Sequence, residues 1–236
     1  MSELCKWLHE ELKQLPFIKF PFEINQLPMN GIYFFYEDGE TWGHGGYRQR
    51  IVRIGTHKDG NFRSRIKEHF LLNESRMNFD ANRYAPHERS IFRKNIGRAL
   101  LNKENDKYLN TWDIDFTTRA SREKYGYLRD IQKEKYIESE VTGILRNNFS
   151  FRYIQIEGQS KRMGANGLES SLIGTVAHCS LCKPSGNWLG QYSPKKQIKR
   201  SGLWLVQHLE SPPISSTEKK LIKDTIAGND FSTFQS

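Results

Sequence analysis

Apolar residues at the start of the chain recur with the spacing of a helix. They are Leu4, Trp7, Leu8, Leu12 and Leu15. Ser2 precedes them as a candidate N-cap, and Pro16 cannot continue the pattern. We therefore predict a helix over residues 2–15 that packs on the core, followed by an extended connection that ends near Pro28.

Two dense apolar runs then predict a pair of strands. Residues 31–36 are rich in aromatic side chains, and residues 50–55 follow a glycine-rich polar stretch that is typical of a long hairpin loop. A helix is predicted next, with Asn61 as its N-cap. Its apolar stripe consists of Phe62, Ile66 and Phe70. Arg65 and His69 lie one turn apart on an adjoining face and can converge on one ligand.

The polar middle of the chain, residues 71–148, is interpreted as an insertion. It contains two helical patterns, over residues 90–101 and about 130–146. Residues 108–117 between them predict a short strand. The insertion is therefore expected to be mainly helical.

The pattern after the insertion returns to mixed elements. Residues 149–157 alternate well enough for a third strand, residues 158–167 indicate a basic loop, and residues 168–182 predict a helix. The chain as a whole is expected to have a mixed α/β (α+β) fold.

Three parts are expected along the chain. Residues 1–28 form the N-terminal helix and connection, and residues 29–210 form the main domain with its insertion at about 71–148. Residues 211–236 are expected to be a loosely held tail, in which residues 216–227 have the pattern of a helix.

The charge balance favours a polyanionic partner. The chain has 36 lysines and arginines against 27 aspartates and glutamates, a formal net charge of +9 and a sequence pI of about 9.4. Nucleic acid is the expected partner, through phosphate contacts and counterion release. An acidic membrane surface is the rival, but the chain has no long apolar run and its first segment carries Glu3, Glu10 and Glu11.

The cysteines indicate the compartment. Cys5, Cys179 and Cys182 are too few for a disulfide framework in a chain of 236 residues, which favours a reducing cytoplasm. Together with His178, the pair Cys179 and Cys182 resembles half of a zinc site. No second Cys or His pair lies at a matching spacing, so the sequence does not predict a closed four-ligand site.

Candidate chemistry comes from the types of polar residue near the predicted strands. Hydrolysis of a phosphodiester bond needs a base for water, a cation on the phosphate and usually a divalent metal held by a carboxylate. Tyr33, Arg65 and Glu169 are candidates for these three roles. Taken singly, each also fits a structural role, as a core tyrosine, a solvated helix residue and an acid in the first turn of a helix.

Five short motifs follow one another along the chain. They are Gly31-Ile32-Tyr33, Arg53-Ile54-Gly55, the helix start with Asn61, Arg65 and His69, then Glu169 and Asn187. Each motif is common by chance, but their order and the elements between them are much more specific. In combination they resemble the GIY-YIG nuclease superfamily, over residues 31–190.

The resemblance implies a fold, a metal and a substrate. The fold would be a small three-stranded antiparallel sheet flanked by helices. Tyr33 and Arg65 would face a scissile phosphate, and Glu169 would bind one divalent ion, Mg²⁺ or Mn²⁺. Asn187 would lie near the metal or the phosphate, and the usual substrate would be double-stranded DNA.

The sequence departs from the superfamily pattern in two places. Arg53 occupies a position where the family usually has tyrosine, which leaves Tyr33 as the expected base. A free phenol is protonated at neutral pH, and a neighbouring cation such as Arg53 favours the phenolate. Arg65 also lies ten positions after Gly55, a longer gap than usual, so Arg63 competes for the phosphate role. Arg65 is preferred because Asn61, Ile66 and His69 fix the register, and His69 is expected to hold or relay a proton.

Other cations are expected to contact the DNA backbone or to serve as solvated surface. They are Arg93, Lys94 and Arg98 in the insertion, and Lys195 and Lys196 in a second basic cluster that precedes the apolar residues 202–206.

Three functions remain open at this point. A stand-alone domain with a large insertion resembles the Type II restriction endonucleases of the superfamily, and cutting both strands would call for a homodimer or sequential nicking. A repair or mobile-element nuclease would share the chemistry and prefer flaps or branches. A DNA-binding protein that has lost catalysis is the third alternative, motivated by Arg53.

Overall fold

The computed structural model describes residues 1–228, which form four strands and ten α-helices. The strands are β1 (Ile18–Lys19), β2 (Ile32–Thr41), β3 (Gln49–Thr56) and β4 (Phe149–Ile154). The helices are α1 (Ser2–Leu12), α2 (Phe62–Phe70), α3 (Ile91–Lys103), α4 (Leu109–Trp112), α5 (Arg119–Tyr125), α6 (Ile131–Asn148), α7 (Gln159–Arg162), α8 (Leu168–Ala177), α9 (Lys196–Ser201) and α10 (Ser216–Gly228). Among these helices, none has the length and apolarity needed to cross a membrane.

The strands form one antiparallel sheet in the order β1-β4-β2-β3. The mixed α+β fold is thus confirmed, but the sheet has four strands where three were predicted. The additional strand is β1, in which Ile18 pairs with Phe151 and Lys19 with Ser150. Two residues between prolines are too few to produce an alternating pattern, so the sequence indicated only an extended connection there.

Helices cover both faces of the sheet. Ile32 and Phe34 of β2 pack with apolar residues of α1, α8 and α10, whereas Tyr33 and Phe35 pack with residues of α2, α3 and α6. The first five residues of β2, all apolar or aromatic, are therefore buried, which explains why this part of its sequence is a continuous apolar run.

Two predicted helix caps differ from the structure. Ser2 is the first residue of α1, and its hydroxyl lies 3.0 Å from that of Ser180 instead of capping the helix. Asn61 does precede α2 as predicted, but its amide donates to the carbonyl of Asp59 at 3.1 Å and makes no cap hydrogen bond.

The insertion is helical, as predicted, but the strand expected over residues 108–117 is wrong. Four of these residues form α4, whose Trp112 stacks on His87 at a ring distance of 3.7 Å. The local pattern could not indicate this, because Trp112 is buried by tertiary contacts with α3 and its neighbours. The two longer helices begin after real caps, Ser90 for α3 and Asp130 for α6.

The C-terminal segment is packed over its described residues, which corrects the expectation of a loosely held tail. α10 buries Ile222 and Ile226 in the same apolar cluster as α1. Residues 229–236 of the predicted tail lie outside the described part of the chain. The division into three parts stays a prediction.

Candidate active site

Tyr33 lies on the face of the sheet that α2 and α3 cover. Its partner across the strand pair is Gly55. A Cβ atom at Gly55 would lie 2.3 Å from the Tyr33 hydroxyl, so only glycine leaves room for the phenol over β3. Tyr33 of the first motif is thus in direct contact with Gly55 of the second.

The Tyr33 hydroxyl is hydrogen-bonded to His69 of α2. Its oxygen lies 3.1 Å from His69 Nε2, and His69 Nδ1 lies 2.7 Å from the hydroxyl oxygen of Ser90. Burial, reinforced by the charges of Arg65 and Arg53, holds the pKa of His69 well below its usual range. The imidazole is therefore neutral at physiological pH, so one of its nitrogens accepts a hydrogen bond.

The sequence did not single out Ser90, the second partner of His69. Ser90 caps α3 by accepting a hydrogen bond from the Arg93 amide at 3.3 Å. A cap pattern before an apolar run was the available signal, but nothing local connects that cap to a histidine 21 residues earlier.

Arg53 is a buried cation beside Tyr33. It donates from Nη1 to the carbonyl of Trp204, and its guanidinium lies 4.8 Å from the ring centre of Phe92. Burial lowers the pKa of Arg53 below its ordinary value, although the nearby Tyr33 and Glu169 act in the opposite direction. Arg53 Nε is buried without a hydrogen-bond partner among the described residues. Such an unpaired donor is costly unless a ligand accepts from it.

Trp204 holds Arg53 in place, a role that the sequence did not indicate. Its amide donates to the carbonyl of Val52 at 2.7 Å, and its indole donates to Glu37 at 2.9 Å. The carbonyl of Trp204 is thereby held beside β3, where Arg53 reaches it.

Arg65 stands one turn before His69 and is partly exposed. Its Nη1 donates to Glu68 at 3.1 Å and to the carbonyl of Arg89. Its Nε and Nη2 atoms have no hydrogen-bond partner in residues 1–228 and are available to an anion. The pKa of His57, the residue directly after β3, is lowered by burial and by Arg65, so a further imidazole lies near the same cation.

Arg63 is held elsewhere. Its Nε donates to the carbonyl of Leu27 at 2.6 Å. By contrast, the charge of Arg65 acts on His69, Arg53 and Glu169. These contacts favour Arg65 for the phosphate role.

Glu169 of α8 lies near Arg53 and Arg65. It lies in the first turn of that helix, and its Oε1 accepts a hydrogen bond of 3.1 Å from the Thr56 amide. Burial raises the pKa of Glu169 to about 7, against the opposing effects of the Thr56 amide, Arg53 and Arg65. No described residue donates to its Oε2. A partly desolvated carboxylate with a free oxygen fits a hard divalent cation such as Mg²⁺, which commonly takes one or two carboxylates and keeps several waters.

The long connection from β3 to α2 is held by Arg162, which the sequence placed only in a basic loop. The fully buried guanidinium donates to the Thr56 hydroxyl at 3.2 Å, the His57 carbonyl at 3.1 Å and Asp59 at 2.6 Å. This network explains how Arg65 reaches the site despite the longer gap.

Asn187 is exposed in the turn before Trp188. Within residues 1–228 it makes no side-chain hydrogen bond, so no described contact joins it to Tyr33, Arg65 or Glu169. Its predicted role near the metal or the phosphate stays a prediction.

The structure corrects the interpretation of the three insertion cations. Arg93 donates to Glu138 at 3.0 Å and to the His69 carbonyl at 3.1 Å, and Lys94 pairs with Glu88 at 3.1 Å. Arg98 pairs with Asp113. All three side chains are buried, so they form internal ion pairs and are not available to DNA.

The remaining predicted DNA contacts lie at the start of α9. Lys195 is half-buried and 3.7 Å from Asp113, whereas Lys196 is exposed. Of the two, Lys196 is the freer for a phosphate contact.

Comparison with known proteins identifies the family of the chain. The family model of the GIY-YIG domain matches residues 3–227. Searches of the curated proteins and of the solved structures found no match. The family match covers nearly the whole described chain and confirms the resemblance that the five motifs indicated. The chain belongs to the GIY-YIG family, whose members are endonucleases.

Proposed function

We propose that this protein is a metal-dependent endonuclease that hydrolyses DNA phosphodiester bonds, with Tyr33 as the base. The observation that carries the proposal is the hydrogen bond between Tyr33 and a neutral His69, beside Arg53 and with Arg65 and Glu169 close by. A base, two cations and a carboxylate are the groups that in-line attack of water on a phosphodiester requires.

The first step is removal of a proton from water. With its proton on Nδ1 facing Ser90, His69 presents Nε2 as an acceptor to the Tyr33 hydroxyl. Tyr33 takes the proton of the attacking water while its own proton passes to His69 Nε2. Arg53 favours the phenolate during this exchange. Burial and the charges of Arg65 and Arg53 keep the pKa of His69 low in the free protein, and the negative charge of a bound phosphate would raise it for this transfer.

The second requirement is binding of the phosphate. Arg65 presents Nε and Nη2, which form one edge of its planar fork and suit the oxygens of a phosphoryl group. The unpaired Nε of Arg53 is a further donor on the same side of the sheet. These donors stabilise the charge that develops on the phosphate oxygens in the transition state.

The third requirement is a divalent ion, for which Glu169 supplies the protein ligand. Mg²⁺ bound there would polarise the phosphate and stabilise the departing oxygen. The Thr56 amide fixes one oxygen of Glu169, leaving the other toward the site.

We further propose that cleavage is sequence-specific, as in restriction endonucleases, and that the insertion makes the base contacts. The insertion exposes two aromatic side chains, Tyr127 at 82% and Tyr136 at 66%. Exposed aromatic residues of this kind can stack on or contact bases. A structure-selective nuclease of repair or mobile elements is the alternative.

The test is cleavage of supercoiled and linear DNA by the purified chain, with Mg²⁺ or with EDTA. Wild type, Arg65→Ala and Glu169→Ala are compared with Arg63→Ala as a matched control on the same helix. We expect discrete Mg²⁺-dependent fragments from wild type and Arg63→Ala and none from the other two.

Other outcomes separate the alternatives. Preferential cutting of flaps or branched DNA would replace the restriction role by the structure-selective one. Tight binding without cleavage across all these substrates would overturn the enzymatic proposal in favour of a DNA-binding protein.

A further inference from the structure

Four side chains from three distant parts of the chain meet in one cluster. Cys5 comes from α1, His44 from the connection between β2 and β3, and Cys179 and Cys182 from the segment after α8. Each contributes one ligand atom, and these four atoms all lie within 4.8 Å of one another. The three cysteines are buried and unpaired.

The distances in the cluster match the edges of a zinc tetrahedron. Bond lengths of about 2.3 Å to sulfur and about 2.0–2.1 Å to nitrogen place two sulfurs about 3.8 Å apart and a sulfur and a nitrogen about 3.5 Å apart. The Sγ atoms of Cys5 and Cys182 are 3.8 Å apart, and Cys179 Sγ lies 3.4 Å from His44 Nε2. A disulfide would require about 2.05 Å between sulfurs.

We propose that Cys5, His44, Cys179 and Cys182 bind a structural Zn²⁺ ion. Three thiolates and one imidazole form a closed set of four ligands, which is typical of structural zinc. Sulfur ligands also select zinc over Mg²⁺, which prefers oxygen. This site is therefore separate in chemistry from the one at Glu169.

The backbone around the cluster supports the sulfur ligands. The Cys179 amide donates to the carbonyl of Val176 at 3.1 Å and the Lys183 amide to that of Leu181 at 2.9 Å, so backbone hydrogen bonds hold both ends of the short segment between the two cysteines. A Cβ atom at Gly43 would lie 1.9 Å from the Leu181 carbonyl oxygen, so glycine is required for this approach. Backbone contacts of this kind orient the ligands of a metal site.

Two neighbouring histidines have other partners. His9 Nδ1 lies 2.8 Å from the Cys5 carbonyl oxygen, and His9 Nε2 accepts from the Ile51 amide at 3.1 Å, so His9 holds the backbone of Cys5 in place. His178 lies next to Cys179 in sequence, but its Nε2 is 3.7 Å from Glu210. The fourth ligand is therefore His44, which the sequence had not indicated.

The ion would join residues 177 positions apart, Cys5 and Cys182. It would fix α1 and the β2–β3 connection to the chain that leaves α8. Because the four ligands come together only in the folded chain, the free energy of zinc binding would contribute directly to the stability of the fold.

The experiment measures zinc by mass spectrometry in the full chain after reconstitution with Zn²⁺ and desalting. We expect about one zinc per chain, as one closed site requires, in wild type, Glu169→Ala and His178→Ala. Cys182→Ser and His44→Ala should retain much less. His178→Ala is the matched control, since it removes a histidine adjacent to Cys179 but outside the cluster.

A second measurement uses wild type alone, in case the cysteine variants do not fold. Bound zinc should protect the three thiols from a thiol reagent, and a chelator should restore their reactivity. Co²⁺ in place of zinc should give the visible absorption of tetrahedral sulfur coordination. The proposal is overturned if reconstituted wild type retains no zinc, if its thiols react equally with and without the metal, or if two of the cysteines are found as a disulfide.

Discussion

Helix α8 has a candidate metal ligand at each end, and the two ends differ in chemistry. Glu169 in its first turn is partly exposed and offers carboxylate oxygen. Cys179, two residues beyond Ala177, is buried and offers sulfur next to two further cysteines and His44. An open oxygen ligand suits an ion that must meet substrate, whereas a closed sulfur site suits an ion that only holds the fold. A single helix of ten residues thus separates the candidate catalytic metal ligand from the candidate structural one.

The two ends of α8 can be changed one at a time. Glu169→Gln should lower DNA cleavage by about 10³-fold, because the metal loses its charged protein ligand. Its zinc content should remain that of wild type. Cleavage rate and zinc content are measured on the same preparations.

Cys182→Ser is the reciprocal change. It should lose zinc and unfold at lower urea concentration, since the ion contributes to folding. A Glu169→Gln protein that loses zinc, or that cleaves DNA at the wild-type rate, would show that the two ends are not separate as described.

The helices that cover Tyr33 and His69 contain internal ion pairs, such as that of Arg93 with Glu138, whereas no ion pair of the described residues involves the cysteine cluster. Arg93→Met should destabilise the protein by about 3–5 kcal/mol, because the buried Glu138 would lose its arginine partner and keep only His87. Urea unfolding measures the change, with Lys196→Ala as an exposed control that should leave stability unaltered. If both variants were equally stable, Arg93 would not be an internal ion-pair partner that the fold needs.

The Arg93 ion pair also predicts a pH dependence of stability. Burial opposes ionisation of Glu138, but Arg93 and His87 outweigh it and bring its pKa to about 2, below the ordinary value of 4.5. The contribution of Glu138 to stability is therefore fully present above pH 4.5 and is lost as the pH falls toward about 2.

The smallest effect concerns pH at the Glu169 end. Burial raises the pKa of Glu169 to about 7 in the absence of metal, so a proton competes with Mg²⁺ below that pH. Mg²⁺ affinity should fall by at most about tenfold per pH unit below about 7. Calorimetric titration at about pH 6 and about pH 8 measures it, and Glu169→Gln should show no such dependence.

The sequence indicated the active site because its signals are local. Tyr33, Arg53, Arg65 and His69 lie within one stretch of strand, strand and helix, and only Glu169 is distant. The zinc ligands lacked this advantage, since Cys5 and His44 are separated from Cys179 by most of the chain. A pair of cysteines at short spacing was visible, but its partners appear only once α1 and the β2–β3 connection pack together.

Burial was the other limit of prediction from sequence. Arg93 and its partner Glu138 are 45 residues apart, so helical spacing could not show that the cation is internal. Arg53 stands where the family usually has tyrosine, and its place beside Tyr33 depends on the carbonyl of Trp204, which lies 151 residues away. Such contacts are decided by tertiary packing, which outweighs local pattern.

The role of Tyr33 as the base is tested by the single-turnover rate of DNA cleavage in Mg²⁺ for Tyr33→Phe and Tyr36→Phe. Both tyrosines are buried in β2, but Tyr33 faces His69, whereas Tyr36 lies in the cluster on the other face of the sheet. Removal of one hydroxyl without change of shape should slow Tyr33→Phe by about 10²–10⁴-fold, the usual contribution of a positioned base. Tyr36→Phe should cleave at the wild-type rate. A Tyr33→Phe protein as fast as wild type would show that Tyr33 is not the base.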